Sequence, residues 1–164
     1  MAFIFSLDNL NLAKQIIARY PDGRQKSAVL PLLHLAQKQN NNYISDDIII
    51  YIADFLQTPV VKIKEVVSFY TMFNQKPIGK YLIQICSTLP CMLRNSEELE
   101  KVCENHLGIK VGETTKDNLF TFVKLECLGD CSNAPVVQIN DDYYDNLDGD
   151  KFIKLLDSLK QANI

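Results

Sequence analysis

Lys80-Tyr81-Leu82-Ile83-Gln84-Ile85-Cys86 is a short β-rich run that ends directly on a thiol. A second run, Leu119-Phe120-Thr121-Phe122-Val123-Lys124-Leu125, ends just before Cys127. Between them, Ser96 to His106 reads as helix, because Leu99, Val102 and Cys103 fall at i, i+3 and i+4. Downstream, Pro135-Val136-Val137-Gln138-Ile139 and Tyr143-Tyr144 predict a hairpin that turns at Asn140-Asp141. Asp150 to Lys160 predicts a final helix whose apolar face is Phe152, Ile153, Leu155, Leu156 and Leu159. The order βα…ββ(β)α, over roughly 85 residues, predicts a small α/β domain with a mixed sheet.

Upstream of about Gln75 the pattern is helical. Asp8 or Ser6 caps a segment in which Leu12, Ile16 and Ile17 recur at helical spacing, and Pro21-Asp22-Gly23 stops it. A second helix is expected from Ser27 to Gln37, with Val29, Leu32, Leu33 and Ala36 on one face and Pro31 in its first turns. Gln39-Asn40-Asn41-Asn42 is a polar break. Ser45 then caps a third helix through Leu56, and Thr58-Pro59 starts a fourth that runs to about Tyr70. The chain is therefore expected to divide into a helical domain, 1–76, and an α/β domain, 77–164.

The 164 residues, 47% of them hydrophobic, suffice for one domain or two small ones, without a disulfide or metal needed merely to fold. Seventeen basic against twenty acidic residues give a net charge of −3. That balance, with only Lys62 and Lys64 on the fourth helix, argues against a nucleic-acid reader. No run of apolar residues is long enough to span a bilayer; Asp54, Gln57, Lys62, Lys64 and Glu65 interrupt the greasiest stretch. Met1 to Tyr20 has neither the layout of a secretory signal nor that of a transit peptide. His34 reads as an ordinary partly buried or surface histidine.

Five cysteines, an odd number, speak against a secreted disulfide framework. Cys86 and Cys91 form C-x4-C, Cys127 and Cys131 form C-x3-C, and 35 residues lie between the pairs. Neighbouring parallel strands would bring the two strand-end loops together and let four thiolates converge on one edge of the sheet. A [2Fe-2S] cluster, which needs two sulfurs on each of two irons, fits two such pairs. Structural zinc tolerates these spacings but more usually takes C-x2-C pairs. Reduced structural cysteines are the third reading. A thioredoxin-type dithiol would need C-x-x-C, which the chain lacks. Cys103 shares a helix face with Leu99 and Val102 and reads as a small core hydrophobe. With four paired thiols available, a Rieske-type role for His106 is unnecessary.

Three stretches carry a family resemblance. They are Cys86-Ser87-Thr88-Leu89-Pro90-Cys91-Met92-Leu93-Arg94, Gly112-Glu113-Thr114-Thr115, and Glu126-Cys127-Leu128-Gly129-Asp130-Cys131-Ser132-Asn133-Ala134-Pro135. Together they resemble the 24-kDa-type subunit of respiratory NADH:quinone oxidoreductase. Tyr20-Pro21-Asp22-Gly23-Arg24, Ala28 to Leu33 and Val67 to Phe73 extend the likeness over nearly the whole chain. The resemblance implies a helical N-terminal bundle before a thioredoxin-like ferredoxin domain, with one [2Fe-2S] cluster on Cys86, Cys91, Cys127 and Cys131. It implies no catalytic residue on this chain, which acts as a subunit of the oxidoreductase and translocase. FMN and NADH belong to the partner subunit, since the chain has no G-x-G-x-x-G loop. Other peripheral-arm subunits are implied as partners, with no direct membrane span. The location implied is the cytoplasmic side of the bacterial inner membrane, or the matrix side in mitochondria. A sequence that begins close to the family's folded start favours the bacterial setting.

The same resemblance leaves two rivals within the redox class, the similar subunits of NAD-linked hydrogenases and of formate dehydrogenases. A zinc-stabilised interaction protein and a free-standing ferredoxin are the others. Leu89, Pro90, Leu128 and Ala134 are expected to cover the cluster, and loop N–H groups to bond its sulfurs. Asp130 departs from the family, which often has a small residue there. Its charge either lies near the sulfurs and lowers the potential, or its carboxylate meets water or a local donor.

Overall fold

The computed structural model describes residues 2–162. The chain divides after Pro77 into two compact units.

The first unit is built from four α-helices: α1 (Leu7–Ile17), α2 (Val29–Gln39), α3 (Asp46–Phe55) and α4 (Val60–Phe69). Ser6 caps α1 by accepting from the Asn9 N–H, and Ser45 caps α3 by accepting from that of Ile48. The start of α2 differs from expectation, since Gln25–Ala28 is a 3-10 turn and the α-helix then runs two residues past Gln37. Pro59, rather than Thr58, caps α4. Leu12 is 39% exposed, and α1 instead buries Ala13 and Ile16. The core adds Leu32, Leu33 and Ala36 of α2, Ile48 and Ile52 of α3, and Ile63 and Val67 of α4. Gln37 is buried among them without penalty: its amide donates to the Met72 carbonyl, and its carbonyl accepts from the Asn74 N–H. Asn41 and Asn42 turn the chain with φ of 51° and 62°, a conformation asparagine tolerates. The His34 ring lies 5.0 Å from that of Phe73.

In the second unit β1 (Tyr81–Cys86) pairs in parallel with β2 (Phe120–Leu125), from Tyr81 opposite Phe120 to Cys86 opposite Leu125. On its other side β1 pairs antiparallel with β3 (Val137–Ile139), which forms the Asn140-Asp141 hairpin with β4 (Asp142–Tyr144). The resulting mixed sheet has the order β2-β1-β3-β4. The crossover from β1 to β2 contains α5 (Leu89–Leu93) and α6 (Ser96–Val102), and α7 (Gly149–Gln161) ends the fold. Strand period two puts Ile83, Ile85, Phe120, Phe122, Val137 and Ile139 on one face, where they pack with Leu99, Cys103, Phe152 and Leu156. At the rim of that face Lys124 meets Glu100 of α6 at 2.8 Å. The helix at residues 96–106 is α only to Val102; Cys103–Leu107 is a π-turn, closed by Gly108 at φ 69°. His106 lies there, with Nε2 2.8 Å from Asp157 of α7.

Two local devices hold β2 in register. The Thr115 hydroxyl oxygen accepts from the N–H groups of Leu119 and Phe120 as the strand begins. On the open side of the strand, the Gly112 N–H donates to the Phe122 carbonyl and the Phe122 N–H to that of Glu113. Gly79 abuts the same strand, since a Cβ there would stand 2.8 Å from the carbonyl carbon of Phe120. Its N–H also donates to Thr121 Oγ1 at 2.6 Å, so the chain has no room to retreat. Gly79→Ala is therefore expected to destabilise the second unit by about 1–3 kcal/mol, read from the denaturant dependence of amide exchange in β1.

Candidate metal centre

The parallel, in-register pairing of β1 and β2 delivers the chain to two adjacent loops at one sheet end. Cys86 is the last residue of β1, and parity turns it away from the face that carries Ile85. It is buried with Cys91, Ala134 and Val136 in a small cluster separate from the main core, with Leu128 packed against them. Cys91 stands on α5 rather than in an irregular loop. Cys127 follows β2, and Cys131 opens a 3-10 turn, Cys131–Asn133. Both are exposed, with their sulfurs 4.0 Å apart.

The backbone is turned towards these sulfurs. Burial alone would raise the Cys86 thiol, yet it is lowered, because the Thr88 hydroxyl, the Thr88 N–H and the Leu128 N–H outweigh burial. The Thr88 Oγ1 lies 3.2 Å from Cys86 Sγ. Cys91 is pushed up to about 11 by burial and by its contact with Cys86, against a lowering contribution from the Val136 N–H. Cys131 is raised chiefly by its contact with Cys127 and by the charge there, with smaller repulsion from Cys86 and Asp130. Gly129, at φ 87°, points its N–H at Cys127 Sγ over 3.4 Å. Cys86 and Cys91 thus interact directly, as do Cys127 and Cys131, and Cys131 is within electrostatic reach of both buried thiols.

Among the described residues no three His, Cys, Asp or Glu side chains form a group that could hold one metal ion. The donors stand as two pairs instead. Two pairs of soft thiols with N–H groups directed at them fit a binuclear iron–sulfur cluster, which asks for two sulfurs per iron. Cys103 is not brought to this site. It lies in the core between α6 and the sheet, raised to about 12 by burial and then by Glu100 and Glu104.

Two expectations need correction. Leu89 is 67% exposed and covers nothing within the unit, whereas Ala134 is buried and Leu128 half-buried against the thiols. Asp130 turns its carboxylate onto its own loop, accepting from the side chains of Ser132 and Asn133. The sequence reading missed Thr88 and Val136. The signal for Thr88 was present: a short hydroxyl two residues past a strand-end cysteine can reach back to its sulfur.

The pattern of the thioredoxin-like [2Fe-2S] ferredoxin family matches residues 13–160. The chain belongs to that family. Within it, the chain is 52% identical to the E-type subunit of NADH-quinone oxidoreductase from Rickettsia conorii, over 96% of this chain and 95% of the relative. It is 54% identical to the corresponding protein of Rickettsia prowazekii, over 94% of this chain and 88% of the relative. To the mitochondrial NADH dehydrogenase [ubiquinone] flavoprotein 2 of Dictyostelium discoideum it is 49% identical, over 96% of this chain and 64% of the relative. A crystal structure of an air-oxidised NAD+-reducing [NiFe]-hydrogenase matches with a TM-score of 0.71 at 23% identity, which shows the fold alone. That match covers 83% of this ferredoxin-family chain and 23% of the hydrogenase chain.

The exposed pair has a chemical liability that the buried pair lacks. Cys127 and Cys131 of metal-free protein are expected to close first to a disulfide when treated with oxidised glutathione. Two thiol protons and two electrons pass to the reagent, giving two reduced glutathiones, and the sulfurs close to about 2.05 Å. Peptide mapping by mass spectrometry checks this, and a Cys86–Cys91 disulfide as the first product would contradict it.

Proposed function

We propose that this chain is the electron-transfer subunit of an NADH:quinone oxidoreductase. It carries one [2Fe-2S] cluster on Cys86, Cys91, Cys127 and Cys131. The observation that carries this reading is the placement of two thiol pairs at the neighbouring ends of parallel strands, within a family of [2Fe-2S] ferredoxins. When bound, such a cluster supplies one-electron transfer.

The chain's own residues do the rest. Cys86 and Cys91 provide a desolvated pair, and the Thr88 hydroxyl and the Thr88, Leu128 and Val136 N–H groups offset negative charge on them. Cys127 and Cys131 provide the pair open to an electron partner. That partner is the subunit that binds FMN and oxidises NADH; neither ligand is held by this chain. Residues 1–76 serve as a helical docking domain and 77–164 as the cluster domain, with further peripheral-arm subunits around them. No helix among the described residues is long and apolar enough to cross a membrane. Attachment is through the complex, on the cytoplasmic face of a bacterial inner membrane or the matrix face in a mitochondrion. The 52% identity to a quinone-reductase relative, against 23% to the hydrogenase, supports the quinone-linked assembly over the hydrogenase one.

The test is iron and acid-labile sulfide on anaerobically purified protein, with EPR before and after dithionite. About two irons and two sulfides per chain, with a [2Fe-2S] signal on reduction, are expected. One zinc without sulfide, persisting after anaerobic reconstitution with iron and sulfide, overturns the reading in favour of a structural interaction protein.

A further inference from the structure

We propose that Asp130 both braces and tunes the exposed thiol pair: its carboxylate closes the turn that presents Cys131, and its charge disfavours reduction there. The inference rests on the cluster reading above and adds to it a residue that is not a ligand.

The brace is visible in the hydrogen bonds. Asp130 immediately precedes Cys131, and its side chain bonds only to residues that follow it. Oδ1 accepts from Ser132 Oγ at 3.1 Å and from Asn133 Nδ2 at 3.0 Å, while Oδ2 accepts from the same amide at 3.1 Å. The Asn133 N–H donates to the Asp130 carbonyl at 3.2 Å. The carboxylate thus spans Cys131 from one side to the other and fixes the turn that aims its sulfur. Cys131 and Cys127 are both exposed, so no packed core sets their separation in place of this turn.

The tuning follows from the kind of donors involved. Ser132 and Asn133 satisfy the geometry of the carboxylate but are neutral. Among the described ion pairs, none involves Asp130. An uncompensated negative charge one residue from a ligand sulfur makes it harder to add an electron to that pair. Brace and charge are separable, because asparagine keeps an oxygen acceptor and loses the charge, whereas alanine loses both.

Full-length protein, reconstituted with iron and sulfide, is compared as the unsubstituted chain, Asp130→Asn and Asp130→Ala. Redox titration followed by EPR reads the potential, and the rate of iron transfer to an excess of chelator reads the brace. Asp130→Asn is expected to hold iron as firmly as the unsubstituted chain. Its reduction should become about tenfold more favourable, about 59 mV upward for one electron. Asp130→Ala is expected to show the same rise and to lose iron several-fold faster. An unchanged potential in Asp130→Asn overturns the tuning, and unsubstituted-like iron release in Asp130→Ala overturns the brace. If the unsubstituted chain itself takes up no cluster, the functional reading fails instead.

Discussion

Cys86→Ala is expected to give a folded chain that takes up no cluster. Cys86 supplies one of the two buried thiols, and three donors converge on its sulfur, the Thr88 hydroxyl and the N–H groups of Thr88 and Leu128. Removing it leaves those donors without an acceptor and the inner iron with a single cysteine. The fold survives because Cys86 belongs to a small satellite cluster with Cys91, Ala134 and Val136, separate from the core around Phe120, Phe122 and Phe152. Iron should fall from about two per chain to none, with an unchanged far-ultraviolet circular dichroism spectrum. Cys103→Ala is the control. It empties a buried core position and lowers stability, yet iron content should be retained. Full iron in Cys86→Ala would falsify the ligand assignment.

Phe122→Ala should destabilise the second unit by about 3–5 kcal/mol. The ring is fully buried, opposite Ile83 in the parallel register, and it packs in the core that joins the sheet to α6 and α7. The cavity left behind cannot collapse, because the backbone at Phe122 is tied on its outer side to Gly112 and Glu113. Hydrogen exchange at the amides of Ile83 and Ile85 reads this unit without interference from the helical one. Leu93→Ala, at a side chain 75% exposed, should stay within about 0.5 kcal/mol. Protection at Ile83 unchanged by Phe122→Ala would show that the sheet does not depend on this ring.

The regular parts of this architecture were legible because their signals are local and strong. The apolar run to Ile85 placed β1 and stopped it at a thiol. Asn140-Asp141 marked the hairpin, which has φ 55° at Asn140, and Ser6 and Ser45 marked helix starts. What escaped has a physical reason in each case. Helix α5 has five residues, Leu89–Leu93, too few to express a helical period. The exposure of Leu89 follows from that, since on a single turn anchored by Cys91 the other apolar side chains must face outward. The π-turn at Cys103–Leu107 depends on how α6 meets the sheet, which no local propensity encodes. For the candidate site, the four thiols and their pairing were readable from spacing. Which pair is buried was not, because burial comes from Ala134 and Val136, late in the chain, folding back over Cys86 and Cys91.

That last contact has a consequence for the order of events during synthesis. A ribosome adding about 5–20 residues per second exposes the first thiol pair several seconds before the second. During that interval Cys86 and Cys91 have no shelter, because the Val136 carbonyl that receives the Cys86 N–H has not yet been made. Only after β3 docks beside β1 are the first two thiols enclosed, and by then Cys127 and Cys131 have also emerged. The fold therefore completes its donor set and closes over half of it in one late step. Cofactor delivery to this chain is accordingly a post-translational event, and the nascent chain is most open to misoxidation between emergence of Cys91 and closure of the hairpin.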